Sequence, residues 1–274
     1  MNLVEIPKRF PLQRRLSRSQ HAATIVFSLS SAVLLWHFTT QLWKLPSFIL
    51  PSPARVWQRF LQAVLDGSLL RHSAYTLFEV LCGLTLGAVI ATLLGYLLAK
   101  SHWFERLLSP YIVASQSIPI VAIAPLLVIW FGPGIFSKIL ICALIVFFPV
   151  LVNTIVGLRS VPEELSDLMR SLKADRWQTI RYLEAPAALP VFLGGLRIGA
   201  TLSVIGAVVG EFVGADRGLG FLVNVARGKY DTPLVFVAVF TLIAMALLLY
   251  SSVLLIEKRL LTWQQRQEEA RPTF

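Results

Sequence analysis

Apolar residues in this chain come in long blocks separated by short polar stretches. Six blocks, at approximately 22–43, 77–99, 111–131, 135–158, 191–213 and 234–256, reach the length a helix needs to cross a bilayer. A hydrocarbon core of about 30 Å takes about 20 residues at 1.5 Å per residue. The pattern predicts an all-α fold, a polytopic membrane protein with about six transmembrane helices. Residues 22–256 form its membrane domain, with polar tails at 1–21 and 257–274. The first block follows Arg14, Arg15 and Arg18 like a signal peptide, but His37, Phe38 and Trp43 follow it where small residues would mark a cleavage site. It is read as an uncleaved anchor.

One polar interval breaks the rhythm. From Arg159 to Pro190 the chain reads VPEELSDLMRSLKADRWQTIRYLEAPAALP after Arg159-Ser160, too long for a turn between two spans. Leu165, Leu168, Met169 and Leu172 fall at i, i+3, i+4 and i+7, which predicts a short amphipathic helix. Glu164, Arg170, Lys173 and Arg176 lie between and around them. A short helix held outside the membrane with one apolar face is suited to docking on a partner. A second helix is expected in ARVWQRFLQAVL of the 44–76 interval, lying along the interface with Trp57 and Phe60 at headgroup depth beside Arg55 and Arg59.

Composition supports the membrane reading and removes other classes. The 274 residues are 56% hydrophobic and 15% charged, where a soluble domain carries about 25% charge. The net charge of +10 would suggest nucleic acid in a soluble protein. Here the basic residues cluster at the ends of apolar blocks, so they report topology, and no nucleic-acid partner is expected. With both termini in the cytoplasm, most of the 25 Lys and Arg residues face inward, as the positive-inside rule requires, and so does the 159–190 loop. Cys82 and Cys142 sit inside apolar blocks as packing residues, and the four His are scattered, so no metal site is expected. Gly228-Lys229 lacks the rest of a GxxxxGK[ST] loop, so the chain has no ATPase motif and no cofactor of its own.

Inside the blocks, small residues recur every fourth position. Gly83, Gly87, Ala91 and Gly95 form one stripe, Gly195, Gly199, Ser203 and Ala207 a second, and Gly206, Gly210 and Gly214 a third. Such stripes let helices approach closely in lipid. Pro119 and Pro125 are expected to interrupt the third span and Pro149 the fourth. Ser115, Gln116 and Ser117 lie next to these breaks, Asn153 lies in the following span and Ser203 in the fifth. They are candidates either for a translocation path or for hydrogen bonds between helices. Glu211, near the end of the fifth span, is a costly residue if it faces lipid. It could pair at the surface with Asp216–Arg217, cap a helix or line a pore exit. Glu79 and Arg197 are read as interfacial, and no second carboxylate is seen in register with Glu211.

The loop can be compared with a known family. RSLKADRWQTIRYLEAPAALPVFLGGLRIGA resembles the loop of permease subunits of binding-protein-dependent bacterial ABC importers. That signature runs Glu-Ala-Ala, three residues, Gly, about nine residues, then Ile-x-Leu-Pro. Ala188-Leu189-Pro190 keeps its end, with Trp177-Gln178 and Leu196-Arg197-Ile198-Gly199 in the expected company. Asp167, Leu168 and Met169 stand in place of Glu-Ala-Ala, and Lys173 in place of the glycine, so another residue is expected to make the glycine's turn. SIPIVAIAPLLVIWFGPGIFSK, FFPVLVNTIVGLRSV and GAVVGEFVGADRGLGFLV are similar to the nitrate, sulfonate and taurine branch, and the likeness covers roughly 50–258.

The resemblance implies a permease in the bacterial inner membrane, one of two copies, here a homodimer. Two ATPase subunits would hold ATP and Mg, and an extracytoplasmic binding protein would deliver the solute. It makes Leu165, Asp167, Leu168, Met169, Arg170, Leu172, Lys173, Ala174, Arg176 and Trp177 the ATPase-coupling residues. GAVVGEFVGA with DLMRSLKADRWQ is similar to importers of heteroaromatic vitamin compounds, riboflavin or the pyrimidine precursor of thiamine. Sulfonate, taurine and nitrate are the alternatives. A stand-alone secondary transporter would instead show paired intramembrane carboxylates or an inverted repeat, and neither is legible in the sequence.

Overall fold

A computed structural model describes residues 18–43 and 46–261, so the tails expected at 1–21 and 257–274 lie mostly outside the described residues. The described residues are helical throughout and contain no strand. The helices are α1 (Arg18–Leu42), α2 (Pro53–Leu65), α3 (Ser68–Lys100), α4 (His102–Gln116), α5 (Ile120–Phe131), α6 (Ile135–Arg159), α7 (Glu163–Ser171), α8 (Arg176–Thr179), α9 (Ala185–Gly214), α10 (Leu219–Gly228) and α11 (Thr232–Leu260). A π-helical turn, Ile180–Glu184, joins α8 to α9 without a break in the rod.

Helices α3, α6, α11 and the rod from Arg176 to Gly214 are each long and apolar enough to span a membrane. The expected third span, 111–131, is instead a broken pair: α4 and α5 bend by 98° across Ser117–Pro119. Pro119 is the N-cap of α5, so its missing N–H and fixed φ fall where one helix must stop and another start. Pro125 and Pro149 lie inside continuous helices and interrupt nothing. Those two breaks, expected from residue type alone, are corrected by the structure. The block expected at 22–43 is covered by α1, whose Trp36 stacks on Phe236 of α11 with ring centroids 5.4 Å apart.

Helix α6 is the axis of the bundle, packed between α3 and α9. The small-residue stripes explain why. A β-carbon added at Gly87 would meet Ala143 O at 2.5 Å, and one at Gly206 would meet the Cys142 Cα at 2.9 Å. Both stripes therefore face α6, and Cys142 fills the crossing as a fully buried packing residue. Without a hydrophobic driving force between helices in lipid, this backbone proximity supplies the dispersion contacts that hold the bundle.

Helix α2 buries Val56 and Ala63, packing on α11, and Arg59 Nε reaches Asp231 Oδ2 at 2.8 Å. Trp57 stays 61% exposed and stacks on Phe60, as an interfacial helix requires. Phe131–Gly134 makes a tight turn between α5 and α6, with Gly132 at φ +82°. Lys138 is buried beneath it, and its ammonium donates to Pro133 O at 2.6 Å and Gly134 O at 3.1 Å.

Candidate functional site

The polar loop folds as its periodicity predicts. Helix α7 begins after Pro162, carries Glu163 and Glu164 in its first turn and Arg170 in its last, and so complements its own dipole. Leu165, Leu168 and Leu172 are 43%, 53% and 68% exposed, while Met169 is half-buried. The chain therefore covers little of this apolar face. Asp167 and Arg170 pair across one turn at 3.1 Å on the exposed side, and Trp177 is 68% exposed just beyond.

Helix α7 closes with a Schellman turn: Lys173 N–H donates to Arg170 O at 2.9 Å and Ala174 N–H to Met169 O at 3.0 Å. The motif requires a left-handed residue at its turn, and Lys173 adopts φ +53°. Lys173 itself thus makes the turn that the sequence comparison assigned to some other residue. A left-handed non-glycine residue costs about 1–2 kcal/mol, and glycine's larger unfolded-state entropy returns part of that. Lys173→Gly is expected to raise stability by about 0.5–1 kcal/mol, visible as a higher melting temperature in detergent with the solute uptake of reconstituted protein retained.

After the turn, Asp175 caps α8 in a capping box: its carboxylate accepts from Gln178 N–H at 2.6 Å, and Gln178 Oε1 accepts from Asp175 N–H at 2.9 Å. The loop then joins the membrane rod through the π-helical turn, where Glu184 is buried and its Oε1 accepts from Lys100 Nζ at 2.5 Å. Arg159 and Glu105 pair at 2.6 Å at the same end of the bundle, tying α6 to α4. Any force applied to α7 thus passes through a short capped segment into the rod that contains α9.

At the opposite end the structure corrects the sequence reading of Glu211. Its carboxylate is 1% exposed and accepts from Thr76 Oγ1 at 2.6 Å and from Gly220 N–H. Thr76 Oγ1 in turn accepts from Leu219 N–H at 2.8 Å, and His72 Nδ1 from Gly218 N–H at 3.0 Å. Glu79, expected at the interface, is 3% exposed and its carboxyl lies beside that of Glu211, with its Oε2 buried and without a hydrogen-bond partner. A second carboxylate is therefore in register after all. The pair is sealed from water and engaged by the loop before α10, so it serves as a latch between α3, α9 and that loop. It is not a relay open to solvent. Arg197 lies 3.5 Å from Glu257, near the end of α11, and over the Tyr250 ring.

The other path candidates divide. Ser203 is fully buried with its hydroxyl on Ala200 O, and Asn153 donates to Pro149 O at 2.8 Å against Gly195. Ser203 and Glu211 are thus packing and latch residues. By contrast Gln116 and Ser117 are exposed at the α4–α5 break, with Ser115 half-buried beside them. No residue of α4 is buried within the chain.

The fold is thus a helical bundle with membrane-spanning helices, an exposed amphipathic helix outside its spans and a polar break within them. The family model of the binding-protein-dependent transport system inner membrane component matches residues 83–262. The chain belongs to this family of ABC importer permeases. It is 48% identical to the riboflavin transport system permease protein RibX of Chloroflexus aurantiacus, over 93% of this chain and 95% of the relative. It is 34% identical to the formylaminopyrimidine transport permease protein ThiX of Halalkalibacterium halodurans, over 92% and 100%. The taurine transport system permease protein TauC of Escherichia coli is 30% identical over 93% and 92%. Among solved structures, the inward-facing MetNI methionine ABC transporter matches with TM-score 0.65 at 20% identity, over 72% of this chain and 97% of that one, and so shares the fold.

Proposed function

We propose that this permease imports a heteroaromatic vitamin compound, riboflavin or the formylaminopyrimidine precursor of thiamine. It would receive the solute from an extracytoplasmic binding protein. The 48% identity to a riboflavin permease across nearly the whole chain carries the substrate assignment. Importers of sulfonate, taurine or nitrate are the alternative, since a taurine permease is also similar, at 30%.

The exposed face of Leu165, Leu168 and Leu172 supports docking of α7 in a groove of a separate ATPase subunit, which would hold ATP and Mg. Asp167, Arg170, Lys173, Ala174, Arg176 and Trp177 would complete that contact, with Met169 packing beneath it. A second copy of the chain would cover α4 and α5 and enclose a path past Ser115, Gln116 and Ser117. The excess of basic residues at the α7 end supports a cytoplasmic location for that end, and for both termini, in a bacterial inner membrane.

The test is affinity purification of the tagged chain from native membranes. An ATPase subunit is expected to come with it, and the associated binding protein is expected to bind riboflavin or the pyrimidine far more tightly than taurine or nitrate. Purification of the chain alone, with ATP-independent solute movement in liposomes, would overturn the coupling assignment. Preference for taurine or nitrate would overturn the substrate.

A further inference from the structure

Two chambers lie side by side at the α7 end of the bundle, and the larger is walled in part by Arg170, Ala174 and Arg176, which the reading above also gives to the ATPase contact. The larger, about 680 Å³, opens between α7 and the feet of the spans. Its wall carries three cations, Lys100, Arg170 and Arg176, with the hydroxyl groups of Ser166 and Thr179. The smaller, about 230 Å³, lies between α3, α6 and α9 and has an apolar lining that includes Leu158, Leu189 and Phe192. Tyr96 and Glu184 belong to both walls, so the chambers adjoin.

Depth separates their chemistry. Lys100 is the last residue of α3 and Arg159 the last of α6, so the basic chamber sits where helix ends meet the headgroup layer. The apolar chamber lies one to two turns deeper along the same helices, at acyl-chain level. Glu184 is the one carboxylate lining the basic chamber, and Lys100 neutralises it at 2.5 Å. Arg170 and Arg176 remain as excess positive charge, Arg170 sharing its charge only with a 69% exposed Asp167 side chain.

We propose that these adjoining chambers bind one anionic phospholipid. Its phosphate would sit among Lys100, Arg170 and Arg176, and one acyl chain would enter the apolar chamber. Basic pockets between membrane helices at headgroup depth recruit anionic headgroups, and buried methylenes add affinity. A free phosphate would leave the apolar chamber unused, and a zwitterionic lipid lacks the net charge that answers two unneutralised arginines. A lipid seated there touches α7 and the foot of α3 together, bracing the joint between loop and bundle.

The experiment is native mass spectrometry of the purified full-length protein, in its complex, titrated with dioleoyl phosphatidylglycerol or with dioleoyl phosphatidylcholine. One phosphatidylglycerol per chain is expected, retained roughly tenfold more tightly than phosphatidylcholine. Arg176→Gln keeps the Lys100–Glu184 pair and is expected to lose most of that preference. Arg106→Gln removes an exposed cation at the same end, outside the chamber, and is expected to keep it. Leu189→Trp fills the apolar chamber and is expected to lower phosphatidylglycerol binding as well. Equal retention of the two lipids, or equal loss in Arg106→Gln and Arg176→Gln, would overturn the site. So would inorganic phosphate competing at the lipid's own concentration while Leu189→Trp changes nothing, since that would mark a phosphate site without a tail.

Discussion

Leu168→Asp is expected to abolish coupled uptake while leaving the protein inserted and folded. Leu168 sits mid-helix on α7, 53% exposed, between Leu165 and Leu172 on a face the chain leaves largely uncovered. Removing it therefore opens no cavity within this chain, and a surface substitution of this kind changes fold stability by about 0.5 kcal/mol or less. In the assembled importer the same side chain would be buried in the ATPase. A carboxylate there loses the apolar contact and is desolvated without a partner, an effect of about 3 kcal/mol or more at an interface centre. That corresponds to about a hundredfold weaker docking. Membrane yield and melting temperature should match the unmodified chain, uptake in proteoliposomes should fall to background, and the ATPase should no longer co-purify. Normal uptake would remove α7 from the coupling role, and a collapsed melting temperature would show that the chain itself buries this face.

Gly218→Ala is expected to cause a large loss of stability. Gly218 has φ +109° and ψ 167°, a region open essentially to glycine alone, and a β-carbon there would overlap the Glu211 carboxyl. The carboxyl cannot retreat, because Thr76 and Gly220 hold it from one side and Glu79 lies on the other. Backbone strain of about 1–3 kcal/mol and the disruption of buried hydrogen bonds, about 1–3 kcal/mol more, act together. Melting should fall by roughly 10 °C. Gly194→Ala is the control: nothing lies within 4 Å of its added carbon, and its melting temperature should hold or rise slightly. Equal behaviour of the two variants would dissolve the latch.

Much of this architecture was legible in local pattern. The four spans in α3, α6, α9 and α11, the short helix over Leu165–Leu172 and the tight glycine turn at 131–134 follow from hydropathy, periodicity and residue type, because each is decided within a few turns of chain. Among the described residues the expected third span is a bent pair, and α1 is not one of those four. The small-residue stripes were legible too, yet their consequence was not followed to the end. Glu79 continues the register of Gly83, Gly87, Ala91 and Gly95, and Glu211 that of Gly195, Gly199, Ser203 and Ala207. Two stripes that face the same helix carry their terminal carboxylates to one place. The signal for the buried pair was present in the spacing.

The interruption at Pro119 followed from residue type, but its absence at Pro125 and Pro149 could not be read the same way. Whether a proline breaks a helix depends on what satisfies the freed carbonyl and how the neighbours pack.

The sequence by itself determined the membrane class, the family, the loop and the face that loop presents, since these rest on periodicities and motifs carried by contiguous residues. Only the tertiary structure decided that α6 is the shared axis, that Glu79 and Glu211 meet, that Lys100 holds Glu184 and that two chambers adjoin behind α7. Each of these pairs residues far apart in the chain. Their meeting depends on helix rotation and crossing, which packing in three dimensions sets and local pattern does not.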